Sequence, residues 1–143
     1  MKIDQNFTRI RKIASNTRQW AEELQRTHQI WDSDLACMCG IASYELFKRL
    51  KKAGLSPTIC FAENSYEGHA FIRCQGYTID VTATQFGIKD KTVVMANRDA
   101  EAYKWFWVPI EKIKTMTGLL KKLAGWPRYQ IHPDLTSRTG CEL

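Results

Sequence analysis

One cysteine, one histidine and one aspartate in this sequence stand in segments that could bring them together for nucleophilic chemistry. Cys39 begins the segment "CGIASYELFKRL", His69 begins "HAFIRC", and Asp80 lies within "YTIDVTA". A thiol can attack a carbonyl carbon when an imidazole takes up its proton and a carboxylate orients the imidazole. These residue types therefore indicate a cysteine nucleophile, provided that the fold brings the three together.

A two-residue turn at Gln75-Gly76 would join the two runs that carry His69 and Asp80. With this turn, the facing pairs are Cys74 with Tyr77, Arg73 with Thr78, Phe71 with Asp80, and His69 with Thr82. Because side chains alternate between the faces of a sheet, His69 and Asp80 share a face and lie on a diagonal. A register shift of one residue would separate them. The structural alternative is a hydrogen-bonded strand histidine beside an aspartate that caps a turn.

The cysteine of this set is predicted to lie in the first turn of a helix. The positive end of the helix dipole and the unpaired backbone N–H groups there favour a thiolate, and they can hold an oxyanion. The small residues Gly40, Ala42 and Ser43 follow Cys39 and would let the helix pack closely. Cys37, in the preceding loop, is the second choice as nucleophile. For either cysteine, the structural alternative is a buried and inert thiol.

The remaining thiols near these motifs are predicted to be ordinary strand residues. They are Cys60 and Cys74, and the hairpin pattern directs Cys74 away from His69. An alternative use of these groups is a metal site made up of Cys37, Cys39, Cys74 and His69. However, the spacing of Cys37 and Cys39 is not that of a usual structural zinc site, and there is no second close pair. We therefore expect no metal and no cofactor.

The hydrophobic pattern predicts an α+β fold in a single domain of residues 1–143. Helices are expected at residues 6–29, 39–53 and 110–125, and Gly54 is expected to end the second one. Strands are expected at residues 57–62, 69–74 and 77–83, with one or two more at 91–96 and 103–109. Residues 126–143 read as an irregular tail. The order of helix, helix, mostly antiparallel sheet and helix is typical of the α+β class.

The net charge of +6 raises the question of nucleic-acid binding. The basic residues are spread over "RIRK", "KRLKK" and "LLKK", each on the solvated side of a predicted helix, so we expect no nucleic-acid partner. No apolar run approaches the roughly 20 residues that cross a bilayer, and the first residues have no apolar core of a secretory signal. Five cysteines, an odd number, argue against a disulfide framework. These features predict a cytoplasmic protein with reduced thiols and no membrane partner.

Residues 34–88, well under half of the chain, resemble a known family. The segments "CGIASYELFKRLKKAGL" and "GHAFIRCQGYTIDVTATQFG" are similar to the transglutaminase-like branch of the papain-like cysteine protease superfamily, in particular to small bacterial transglutaminase-like proteins. The resemblance implies a catalytic triad of Cys39, His69 and Asp80. It also implies a papain-like core in which the cysteine-bearing helix packs on an antiparallel sheet, and acyl transfer from an amide.

The sequence departs from the papain-type signature in two ways. The residue after the cysteine is Gly40 and not an aromatic residue, and no glutamine lies just upstream to supply a second oxyanion donor. Ser33, Trp31 and Gln85 are the residues considered for that second donor.

The expected partner is a peptide or protein substrate. Water would complete peptide hydrolysis or deamidation, and an amine would complete transglutamination. Hydrolysis of a peptide or isopeptide bond is the first choice, because water needs no second binding site. The specificity surface is expected in the loops 30–38, 61–68 and 85–103. The alternative is an inactive interaction module, whose surface would be the aromatic segments 103–109 and 126–129.

Overall fold

The computed structural model describes residues 4–28, 38–63, 68–100 and 111–123. Its helices are α1 (Gln5–His28), α2 (Cys39–Lys52), α3 (Asn97–Ala100) and α4 (Met116–Leu123), with a 3₁₀ turn at Ala83–Phe86. Its strands are β1 (Pro57–Glu63), β2 (Gly68–Cys74), β3 (Tyr77–Asp80), β4 (Val93–Ala96) and β5 (Glu111–Ile113). The five strands form one antiparallel sheet in the order β4-β3-β2-β1-β5, so the predicted α+β class is confirmed.

The first two helices form as the periodicity predicts, and both contribute to the hydrophobic core. Ile10, Ala14 and Ala21 of α1 are buried together with Leu46 and Leu50 of α2. Residues three and four apart share one face of a helix, so each helix presents a single apolar stripe to the same core.

Helix α2 ends at the predicted glycine. Gly54 has a left-handed φ of 82°, which a residue without Cβ adopts most readily. Its N–H donates to the carbonyl of Lys51 at 3.0 Å, and the N–H of Leu55 donates to that of Leu50, also at 3.0 Å. These are the two bonds of a Schellman motif, which satisfies the last carbonyls of the helix. Helix α2 therefore ends where the sequence predicts.

The central hairpin of β2 and β3 has the predicted register. Cys74 pairs with Tyr77, Arg73 with Thr78, and Ile72 with Ile79. Gln75 and Gly76 both have positive φ, 51° and 85°, as a two-residue turn of the primed type requires. Ala70, Ile72 and Cys74 belong to the core with α1 and α2. His69, Phe71 and Arg73 occupy the alternate positions of the strand.

Two predicted elements need correction. The strand expected at residues 77–83 ends at Asp80, because the carboxylate of Asp80 accepts the N–H of Thr82 and turns the chain out of the ladder. The helix expected at residues 110–125 is divided: residues 111–113 form β5, in which Ile113 pairs with Ile59, and α4 begins only at Met116.

Some predictions fall outside the described residues, namely the strand at 103–109 and the tail at 126–143. Within the part of the chain that the structure describes, no helix is both long and apolar enough to cross a bilayer.

Candidate active site

His69 and Asp80 form a buried pair. The Nε2 atom of His69 lies 2.7 Å from Oδ2 of Asp80, and the two residues are 5 % and 1 % exposed. The other carboxylate oxygen, Oδ1, accepts the backbone N–H of Thr82 at 2.9 Å and the hydroxyl of Thr82 at 3.3 Å. Both oxygens of Asp80 have partners, so the carboxylate is held in one orientation. In that orientation it binds Nε2 of His69.

The surroundings of His69 favour its protonated form. Burial acts to lower the pKa of His69, but the charge and the hydrogen bond of Asp80 act in the opposite direction, as does the side chain of Cys39. The balance raises the pKa of His69 from 6.5 to about 10. An imidazolium bonded to a carboxylate is the partner that a cysteine nucleophile requires.

Cys39 is the first residue of α2 and is 4 % exposed. The residue before it, Met38, makes no side-chain hydrogen bond to the start of the helix. The carbonyl of Met38 accepts the N–H of Ala42 at 2.9 Å. The N–H groups of Cys39, Gly40 and Ile41 come before this bond and have no acceptor within the helix. The thiol therefore lies beside backbone donors of the kind that stabilise an anion.

A hydrogen bond holds the start of α2 over the start of β2. The hydroxyl of Ser43, one helical turn after Cys39, donates to the carbonyl of Ala70 at 3.1 Å. Ala70 is the neighbour of His69, so this bond sets the position of the thiol along the strand that bears the imidazole. Sequence reasoning assigned Ser43 only a packing role and missed this bond.

Two further polar residues near the pair were also missed or assigned differently. Thr82 supports Asp80, and its spacing of two residues from an aspartate is the signal of an Asx-type turn. Gln85, considered as a second oxyanion donor, has its amide Nε2 3.2 Å from the hydroxyl of Thr82, which accepts its hydrogen bond. The other residues considered for that role, Ser33 and Trp31, lie outside the described residues, as does Cys37.

The two strand cysteines have a different environment. Cys60 and Cys74 are buried, and burial raises the pKa of each thiol from 9.0 to about 11. Cys74 belongs to the core, five residues along β2 from His69, which is about 16 Å in a strand. The metal alternative required Cys74 and His69 to reach the same ion. No cluster of three metal-binding side chains is found among the residues that the structure describes.

Comparisons of this chain with models of protein families, with curated proteins and with solved structures find no match. The aromatic segments 103–109 and 126–129, proposed above as an interaction surface, lie outside the described residues.

Proposed function

We propose that this protein is a cysteine-dependent enzyme that hydrolyses a peptide or isopeptide bond, with a transglutaminase-like, papain-like core. In this proposal Cys39 is the nucleophile, His69 the general acid and base, and Asp80 the residue that orients and charges His69. The observation that carries the proposal is the buried bond between His69 and Asp80, on the strand over which Ser43 holds the helix that begins at Cys39.

The first half of the reaction is acylation. The thiolate of Cys39 attacks the amide carbonyl, and a C–S bond forms while the carbonyl π electrons move onto oxygen. The free N–H groups at the start of α2 lie beside the thiol and can stabilise this oxyanion. The imidazolium of His69 then gives its proton to the departing nitrogen, the C–N bond breaks, and a thioester and a free amine result.

The second half is deacylation by water. The neutral imidazole of His69 takes a proton from water as the water oxygen attacks the thioester carbonyl. Collapse of this second tetrahedral species breaks the C–S bond and returns the thiolate of Cys39 beside the imidazolium. Asp80 keeps the same ring nitrogen bound through both halves, which keeps the other nitrogen available to the reacting groups.

The same acyl-enzyme would give transglutamination if an amine replaced water. Hydrolysis is the simpler assignment, because water requires no second binding surface. The resemblance to transglutaminase-like proteins supports the acyl-enzyme chemistry, whichever acceptor completes it.

Alkylation with iodoacetamide at pH 6, read by mass spectrometry at each cysteine, tests the nucleophile. The reagent is small, which suits a thiol that is 4 % exposed. We expect rapid modification of Cys39 in the wild type and a rate at least about tenfold lower in His69→Ala, because the imidazolium that favours the thiolate is lost. The double variant Cys60→Ala/Cys74→Ala is the matched control and should keep the rapid phase. Rapid labelling that persists in Cys39→Ala, or an unchanged rate for Cys39 in His69→Ala, would contradict the proposal.

A further inference from the structure

An arginine from α1 is buried behind the segment that follows Asp80. Arg18 is 4 % exposed. Its Nη1 atom donates to the backbone carbonyl of Val81 at 3.0 Å and to the hydroxyl of Thr84 at 2.8 Å. Its Nε atom lies 3.6 Å from Oε1 of Glu22, one turn along α1. Burial of a guanidinium is costly unless donors are used, and here both bonds of Nη1 are directed at one short segment of the chain.

That segment supports the carboxylate of Asp80. Strand β3 ends at Asp80, and the chain then leaves the sheet through Val81 and Thr82 into the 3₁₀ turn. Thr82 supplies the N–H and the hydroxyl that bind Oδ1 of Asp80. Arg18 holds the residue before Thr82 by its carbonyl, and Thr84 by its side chain. Thr82 is thereby fixed from both directions along the chain.

We infer that Arg18 is a positioning residue for the Asp80–His69 pair. It acts through the segment 81–84, which it ties to α1, and through Thr82, which in turn orients Asp80. Arginine suits this task because one guanidinium presents several donors in a fixed plane, so that a carbonyl and a hydroxyl can be bound at once. Both bonds leave one nitrogen, Nη1, whose two N–H donors are fixed in the guanidinium plane, whereas a lysine ammonium on its flexible stem does not hold its donors in fixed directions.

This inference rests on the proposed function for its meaning in catalysis, but the geometry can be tested without it. Among the described residues, Asp80 of β3 and Cys39 of α2 are titratable groups that act on the pKa of His69. If Arg18 is removed, the segment 81–84 loses two hydrogen bonds and Asp80 is free to turn. The bond between Asp80 and His69 should then weaken, with a change in the ring N–H signal of His69 and in the pH profile of alkylation at Cys39.

The experiment compares Arg18→Met with Ile10→Ala. Ile10 is a fully buried residue on the same helix, and it belongs to the apolar core. Both variants should lower the melting temperature. Only Arg18→Met should move the ring N–H resonance of ¹⁵N-labelled His69 upfield, and only Arg18→Met should slow iodoacetamide alkylation at pH 6 by about tenfold. Unchanged signals in Arg18→Met, or equal changes in Ile10→Ala, would overturn the inference.

Two more variants keep the inference testable if Arg18→Met does not fold. Thr84→Val removes one acceptor and leaves Arg18 in place, and it should slow alkylation by about threefold. Arg18→Lys should behave like Arg18→Met and not like the wild type, because charge alone does not rebuild the two bonds. A wild-type rate and resonance in Thr84→Val would overturn the inference. If Cys39 is unreactive in every form while the His69 resonance still depends on Arg18, the proposed function fails and the positioning role stands.

Discussion

The start of α2 and the interior of the sheet both contain buried thiols, but they place those thiols in different chemical surroundings. Cys39, Cys60 and Cys74 are all nearly or fully buried, so exposure does not distinguish them. Cys60 and Cys74 lie on strands, and burial raises the pKa of each to about 11. Cys39 stands at a helix start, and its side chain acts to raise the pKa of His69. Reactivity in this protein should therefore depend on the partner of a thiol and not on its exposure.

Removal of the charge of Asp80 should reduce the difference in reactivity between Cys39 and the two strand cysteines the most. Asp80→Asn keeps the size of the side chain and a hydrogen-bond acceptor, but a buried imidazolium then has no counter-charge from β3. We expect the pKa of His69 to fall and alkylation of Cys39 at pH 6 to slow by about tenfold or more, towards the rates of Cys60 and Cys74.

Asp90→Asn is the matched control for this substitution. Oδ1 of Asp90 accepts the N–H of Thr92 at 3.0 Å, with the same spacing of two residues as Asp80 and Thr82, but on an exposed part of the surface. This variant should leave the rate at Cys39 unchanged. A wild-type rate in Asp80→Asn would show that the reactivity of Cys39 does not depend on the carboxylate.

The dependence of stability on pH offers a second test, with a smaller effect. The pKa of His69 is about 10 in the folded protein, above its ordinary value of 6.5. The folded state therefore binds more protons than the unfolded state between these values. The contribution of His69 to the free energy of unfolding is complete below about pH 6.5. It is lost as the pH rises towards 10, by at most about 1.4 kcal/mol per pH unit.

Urea unfolding of Cys39→Ala at pH 6.5, 7.5 and 8.5 measures this contribution. In the wild type a thiolate at Cys39 would offset the proton that His69 gains, so the thiol is removed. The raised pKa values of Cys60 and Cys74 act in the same direction as that of His69, but only above their ordinary value of 9.0. We expect Cys39→Ala to lose stability across this window and Cys39→Ala/His69→Gln to show a flatter profile. Equal slopes in the two proteins would mean that His69 is not protonated more readily in the folded state.

The hairpin register could be predicted from the sequence because local chemistry determines it. The turn at Gln75-Gly76 takes positive φ at both residues, and the period of two along β2 and β3 then follows. The stop of α2 at Gly54 is equally local. These local features are enough to predict that His69 and Asp80 lie near each other.

Other features depend on contacts far apart in sequence, and these the pattern did not reveal. Residues 111–113 carry an amphipathic helical pattern but form β5, because the edge of β1 pairs with them. Arg18 would be expected on a solvated helix face, and its acceptors lie more than sixty residues away. One signal was present: Arg18 lies four residues after Ala14 and three before Ala21, on the inner side of α1.

The smallest predicted effect concerns the far end of the hairpin. Gly76 has a φ of 85°, and a Cβ added there would meet no atom within 4 Å, so Gly76→Ala carries only the cost of a left-handed backbone. We expect a loss of about 1 kcal/mol in the free energy of unfolding and no change in alkylation at Cys39. Gly54→Ala, at φ 82° with similar space, should behave in the same way. The reason is that His69 and Asp80 are fixed by Thr82, and Cys39 by the bond of Ser43, all of which lie away from the turn. If Gly76→Ala slowed alkylation in proportion to its loss of stability, the reactivity of Cys39 would depend on the stability of the whole hairpin. The start of α2 would then not differ from the interior of the sheet in what controls its thiol.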